Sequence, residues 1–342
     1  MKYNKLLPLV ITLILTIILI GLGCTTSAPV EKVFTWRLQS SFPETDNDLA
    51  INSKGIAKFI ESASGGKVKV EIYPAGVLTA PEAIVESLSK GAIEVGQIIP
   101  GMAADKVPSA LGSEMPFGVQ NRDQALELFN KYGMANIMRE EYAKYNIHLL
   151  TECHNGRLCL LSTFPVNTVA DFNGRKLWAH PSAYWLSDFG AANVEVPGMD
   201  MYMALKLGTI DGTTWTLSEL EASKLKEVVK YVMFPQIITP QTHVLISMNA
   251  WDAIGSQLQK SIQDYVDTHY SEIAIAYDAA DDKGLASATA YGVETITLSE
   301  TEIQKLMSGS RKFWDEVATL SPSSAKMVDL YKKYLEDKNI PW

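Results

Sequence analysis

VKVEIYPAGVLTAPEAIVESLSKGAIEVGQII, residues 68–99, holds a complete strand–helix–strand unit. VKVEIYP at 68–74 alternates apolar and polar residues with the period of a strand. PEAIVESLSKG begins with Pro81, suited to a first helical turn, and ends at Gly91, suited to a helix stop; AIEVGQII then reads as a second strand. Two strands joined through a helix lie parallel, so this stretch predicts a largely parallel sheet with helices on both faces. Upstream, Leu49, Ile56, Phe59 and Ile60 recur at helical spacing over 49–63.

The alternation restarts after residue 150, with strands read near 157–162, 176–180, 192–196 and 209–214 and helices at 182–190 and 200–207. A long helical tract from Ser256 to about Tyr291 follows, then helices near 299–319 and 323–337. The fold class expected is therefore α/β with two lobes, a cleft between them and long C-terminal helices. Residues 34–150 form the first lobe, with returning segments from the C-terminal part. Residues 151–245 form the core of the second, and 246–342 a helical region bracing both. Open α/β sheets bind ligands beyond the carboxyl ends of their strands, and a cleft between two such lobes collects several of those ends.

The beginning of the chain speaks to location. Lys2 and Lys5 precede a charge-free apolar run from Leu6 to Leu22, which ends in Gly23 and Cys24. This is the pattern of a secretory signal over residues 1–23. The small-residue-then-Cys ending resembles the lipobox of bacterial lipoproteins, which implies acylation of Cys24 and a tether over 24–33; Gly21 stands where that motif prefers Leu. An uncleaved anchor is the other reading, and both place the body outside the cytoplasm. Loss of the two leader lysines moves the net charge from −9 to −11. An acidic chain without a basic cluster is poorly suited to nucleic acid.

The chain carries no GxGxxG, no phosphate loop, no GxSxG and no HExxH. Its five histidines lack metal-ligand spacing, and Asp281 and Asp282 on the long helical tract read as a solvated face. Cys153 and Cys159 are separated by five residues and so form no CxxC redox motif, although a bridge across Asn155-Gly156 stays open. The weight falls on binding rather than catalysis.

At this point an ordered set of segments becomes informative: SSFPETDN after the first strand, SGGKVKVEIYPAGVL, SLSKGAIEVG, MPFGV, VADFNGRKL, MYMALKLGTIDGT and EVVKYVMFP. Together they resemble the solute receptors of tripartite ATP-independent periplasmic (TRAP) transporters, nearest in spacing to the branch that binds 2-oxo acids. The resemblance implies a two-lobed receptor that closes by a hinge on a small-molecule solute and delivers it to membrane permease subunits driven by an ion gradient. It implies no enzyme activity and no cofactor. The hinge is expected near 150–160 and 234–248. Relatives in that branch dimerise by exchanging a C-terminal helix, and Ser321-Pro322 would permit such a swing, so monomer and homodimer both remain open.

The same resemblance locates the site. Most such receptors end the segment corresponding to Gly174–Ala179 with an Arg that clamps the ligand carboxylate; this chain has Trp178. Where the oxo-acid branch carries a metal-binding Gln there is Arg157, and where it carries metal-binding Glu followed by Trp there are Thr214 and Trp215. No bound metal is therefore expected. Arg157 would supply a fixed positive charge in the metal's stead, its other reading being an interlobe salt bridge. Trp178 and Trp215, with Tyr184 or Trp185, would offer aromatic walls, core packing being the other reading for Trp178. The solute expected is a small organic acid with an apolar or aromatic body. The alternatives are an uncharged or cationic solute, or a ligand-sensing interaction protein without a transport role. Stacked indoles suit a quaternary ammonium, but Arg157 in the same cleft would repel it. Glu44, Asp46 and Asp48, in the loop after the first strand, could receive an amine.

Overall fold

The computed structural model describes residues 32–341, which from Phe34 onward make up one compact unit. Cys24 and the leader over 1–23 lie outside the described residues, as does most of the tether over 24–33. Strand β1 (Phe34–Ser40) leads through helix α1 (Lys54–Ala63) to β2 (Val68–Tyr73), and α2 (Ile84–Ser89) carries the chain to β3 (Val95–Ile98). Helices α3 (Arg122–Lys131) and α4 (Met134–Ala143) precede β4 (Ile147–His154). Next come β5 (Leu158–Ser162), β6 (Lys176–Trp178), β7 (Ala192–Asn193), α5 (Met201–Lys206), β8 (Gly212–Thr216), the short α6 (Glu219–Ala222) and β9 (Tyr231–Ile238). The chain closes with β10 (Gln241–Ser247), α7 (Met248–Ala253), α8 (Gly255–Tyr291), β11 (Glu294–Thr297), α9 (Glu300–Leu320) and α10 (Pro322–Asp337).

Two sheets result, one ordered β2-β1-β3-β10-β4 and the other β11-β9-β5-β8-β6-β7. Most neighbours are parallel, as the crossover helices demand. Each sheet also holds one reversed strand: β10 runs antiparallel to β3 and β4, and β5 antiparallel to β8 and β9. The reason is topological. The chain leaves the first sheet at the carboxyl end of β4 and enters the second through β5 from the cleft side, so β5 must run away from the cleft. It returns the same way, from the end of β9 into β10. The two crossings lie side by side, tied by a hydrogen bond of 3.0 Å from the Asn155 N–H to the Pro240 carbonyl.

This traffic moves the expected lobe boundaries. The range 151–245, read as the second lobe, includes the end of β4 and most of β10, both of which pair in the first sheet. Conversely, β11, within the range 246–342 read as a helical region, pairs with β9 in the second sheet. A strand's period of two does not reveal which sheet it joins.

Each sheet is apolar on both faces. In the first, Trp36, Val244 and Ile246 pack with Ile56, Phe59, Ile60, Val266 and Tyr270, while Leu149 and Leu245 face Leu88, Trp314, Met327 and Tyr331. In the second, Leu158 and Leu160 pack with Trp185 and Leu306, and Cys159 and Leu161 with Leu217 and Ala288. Cys153 and Cys159 are thus not bridged to each other and lie buried in different cores. Two helices serve both lobes. Helix α8, about 55 Å long at 1.5 Å per residue, places Ile262 and Tyr270 in a first-lobe core and Ala288 in a second-lobe core. Helix α9 does the same with Leu306 and Trp314, and α10 packs its tyrosines onto the first lobe of its own chain. Ser299 and Ser321 cap α9 and α10 by accepting the N–H groups of Glu302 and Ser324.

Helix α8 approaches the chain after β8 so closely that a methyl group on Gly284 would strike the Leu217 carbonyl, which is backbone and cannot swing aside. Gly284→Ala gains about 1 kcal/mol of helix propensity, yet overpacking costs about 1–3 kcal/mol and more where backbone must move. The variant is expected to be net destabilised by about 1–2 kcal/mol in urea unfolding, whereas a helix free of this contact would be stabilised.

Candidate functional site

The carboxyl ends of the parallel strands in both sheets face one another, together with the amino ends of β5 and β10. Between them lies a cavity of about 400 Å³, at the small end of the roughly 300–1,000 Å³ typical of ligand sites. The loop after β1 contributes Phe42 and Asp46, the segment after β3 Met102, the crossings Asn155 and Gln241, and α8 Tyr277. The opposite wall comes from Trp178 and His180 at the end of β6, from 195–199 after β7, and from Thr214–Thr216 in β8.

The lobes meet around this cavity. The Asn47 N–H donates to Glu219 Oε1 at 2.9 Å, and the Asn47 side-chain amide to the Ser218 carbonyl at 3.3 Å. On another side Gly101 passes so near Pro181 that a methyl on it would come within 2.6 Å of the proline Cβ. The two lobes thus touch on two sides of the cavity.

Trp178 and Trp215 form one wall as a pair. In the parallel pairing of β6 and β8, Trp178 stands opposite Thr213, which puts Trp215 two residues on along the same face. Diagonal neighbours at this spacing are within reach of large rings, and the two indoles stand 5.0 Å apart with their planes inclined by 31°. Both are half-buried, lining the cavity while packing against the second-lobe core. Thr214 also lines the cavity, and its hydroxyl accepts the His180 N–H at 2.7 Å. Tyr184 acts at one remove, donating its hydroxyl to Glu195 Oε1 at 3.0 Å, where the Asn193 side chain donates as well. Trp185 turns inward and donates to the Ser182 carbonyl.

Arg157 differs from expectation. It is absent from the cavity wall, because two aspartates from α8 hold it: its guanidinium meets Asp281 at 3.4 Å and Asp282 at 2.5 Å. Its own backbone N–H donates to Asp281 Oδ2 at 2.6 Å, and the Ser218 N–H donates to Oδ1 at 2.8 Å. Asp281, read from sequence as part of a solvated face, is therefore fully buried, while its neighbour Asp282 is exposed. The bridge links the β4–β5 crossing to the long helix.

With Arg157 withdrawn, among the described residues neither Lys nor Arg lines the cavity, whereas three acidic side chains do: buried Asp46, and Glu82 and Glu195, both exposed. His180 adds no positive charge, since burial pushes its imidazole down to about 3. Its Nε2 lies 3.7 Å from Glu114 Oε2. Among the described residues no three His, Cys, Asp or Glu side chains gather as metal ligands do. Of the wall residues, Phe42, Glu195, Gln241 and Tyr277 escaped the sequence reading. Their one available signal was position, since all but Tyr277 lie just beyond or at the cleft end of a strand.

Residues 44–320 match the model of the bacterial extracellular solute-binding proteins, family 7 (DctP). The sialic acid-binding periplasmic protein SiaP of Vibrio cholerae is 24% identical over 262 residues, covering 75% of this chain and 81% of that protein. A monocarboxylate 2-oxoacid-binding periplasmic protein of Nostoc is 22% identical over 305 residues, 87% and 83% of the two chains. Among solved structures, a TRAP periplasmic solute-binding protein of Chromohalobacter salexigens with bound (S)-(+)-2-amino-1-propanol superposes with a TM-score of 0.80 at 23% identity, covering 90% of this chain and 97% of that one.

Burial pushes the Asp281 carboxyl up from an ordinary 3.8 to about 7, against the pull of Arg157 and two backbone N–H groups. Between about pH 4 and pH 7 the folded chain then keeps a proton that the unfolded chain has released. Stability from this group accordingly falls as pH rises through that window and is level outside it. Asp281→Asn is expected to lose this slope, and to cost about 2 kcal/mol at neutral pH by leaving Arg157 half-paired and one N–H without its acceptor. Urea unfolding of both proteins across the window measures the two effects together.

Proposed function

The chain belongs to the bacterial extracellular solute-binding proteins of family 7, and on that premise we propose that it is the extracytoplasmic receptor of a TRAP transporter. It captures a small organic solute between its two lobes and presents it to a membrane permease. The observation that carries this reading is the cavity of about 400 Å³ between the carboxyl ends of two sheets. The sheets are joined only by adjacent crossings and by helices packed along both lobes, an arrangement that allows the lobes to part at the cleft while staying attached. Binding rather than turnover is the activity proposed, in keeping with the family.

Two readings of the solute have specific support. Organic acids are favoured by the ligands named for the Vibrio and Nostoc proteins; a carboxylate here would be held by N–H and O–H donors, with no guanidinium in the wall. An uncharged or cationic solute is favoured by the wall itself, with its acidic groups and paired indoles. For the chain's attachment, Lys2, Lys5 and the apolar run ending in Gly23-Cys24 support export and acylation at Cys24. Cys24→Ser should then lose labelling by radioactive palmitate and pass from the membrane to the soluble fraction.

Residues 26–342, which contain the whole compact unit, provide the test of capture. A solute present at 100 times its dissociation constant should add about 2.7 kcal/mol to stability, seen as a raised melting temperature. Trp215→Ala should remove about 2 kcal/mol of that solute's binding while leaving the unliganded melting temperature within a few degrees. Failure of every organic acid, amine and neutral osmolyte tried to raise the melting temperature would sink the receptor reading.

A further inference from the structure

We propose that the solute is a small organic cation, its positive nitrogen set against the indoles of Trp178 and Trp215 and facing the acidic groups of the cavity; this rests on the receptor reading above. Four independent features lead there. The wall contains acidic side chains and no Lys or Arg, and His180, its one imidazole, is neutral. Arg157, the charge that would repel a cation, is held outside the cavity by Asp281 and Asp282. The paired indoles present the kind of ring faces that attract a cation through their negative π clouds. Finally, Gln241 Oε1, in a wall residue only 2% exposed, has no hydrogen-bond partner, and neither has the hydroxyl of buried Ser41. A buried amide oxygen without a donor is costly, and an ammonium N–H, or a hydroxyl carried beside the nitrogen, supplies one.

The position of Glu195 adds a rim to this pocket. Tyr184 and Asn193 both donate to its Oε1, which fixes the carboxylate at the cavity edge with Oε2 left for an incoming positive group. Asp46, 1% exposed, lies on the facing lobe. A cation between them is therefore attracted to both lobes at once and favours their closure, whereas a carboxylate in that place would be repelled from both.

The test is calorimetric titration of residues 26–342 with choline and with ethanolamine, each beside its uncharged isostere, 3,3-dimethylbutan-1-ol and propan-1-ol, and with pyruvate, lactate and malonate. At least one cation should bind about tenfold or more tighter than its isostere, and Glu195→Gln should weaken the cation by up to about fivefold without changing the isostere. Equal binding of cation and isostere overturns the role of charge. Binding of the carboxylates in place of the cations overturns the inference and leaves the receptor reading intact. If none of the three classes binds, both fall.

Discussion

The buried carboxylate of Asp281 is the constraint on which the two-lobed arrangement turns. It accepts N–H groups from two places that must be held together: Arg157, just where the chain crosses from the first sheet to the second, and Ser218, just past β8. Gly156 has φ +81° and no room for a side chain, because any Cβ there would collide with that carboxylate. One helix of 37 residues is thereby fixed against the crossing, and its Tyr277, one turn earlier, becomes part of the cavity wall. Isolated buried charges are expensive, and two backbone donors and a guanidinium offset this one only in part, so that burial still raises its pKa to about 7.

That withdrawal of Arg157 changes what the cavity can hold. In the reading from sequence, Arg157 was the replacement for a lost clamp, and its charge was the objection to a cationic solute. Once two aspartates claim it, the objection disappears and the remaining charge of the wall is negative. The indoles of Trp178 and Trp215 then take on a meaning that neither has alone, since each is also partly a core residue of the second lobe.

Much of the architecture was legible because it depends on local pattern. The strand–helix–strand unit over 68–99, the long helix ending at Gly292 and the two capped C-terminal helices all lie near where periodicity and capping residues put them. The allocation of strands to sheets was not legible, since β4, β5 and β10 are buried along nearly their whole length and carry no mark of the sheet they join. Strand β11 was missed because its residues are mostly exposed and show no alternation. At the site, the family resemblance points to Trp178, Thr214 and Trp215, and the end of a short strand to Trp178; all three stand in the cavity wall. The partnership of Arg157 with Asp281 spans 124 positions, a distance over which no sequence period carries information.

The strand order of the first sheet also bears on how the chain can fold as it emerges amino end first. Strand β10 lies between β3 and β4, so the central pairing of the first lobe must wait until about two-thirds of the molecule has emerged. The face packed by Met327 and Tyr331 waits for the very last helix. The second lobe, whose strands β5 to β9 are consecutive in sequence, can assemble most of its sheet while the earlier-emerging half is still searching. The lobe that is first in sequence is therefore the last to be finished, and until then the apolar faces of its strands lack the partners that cover them in the folded chain.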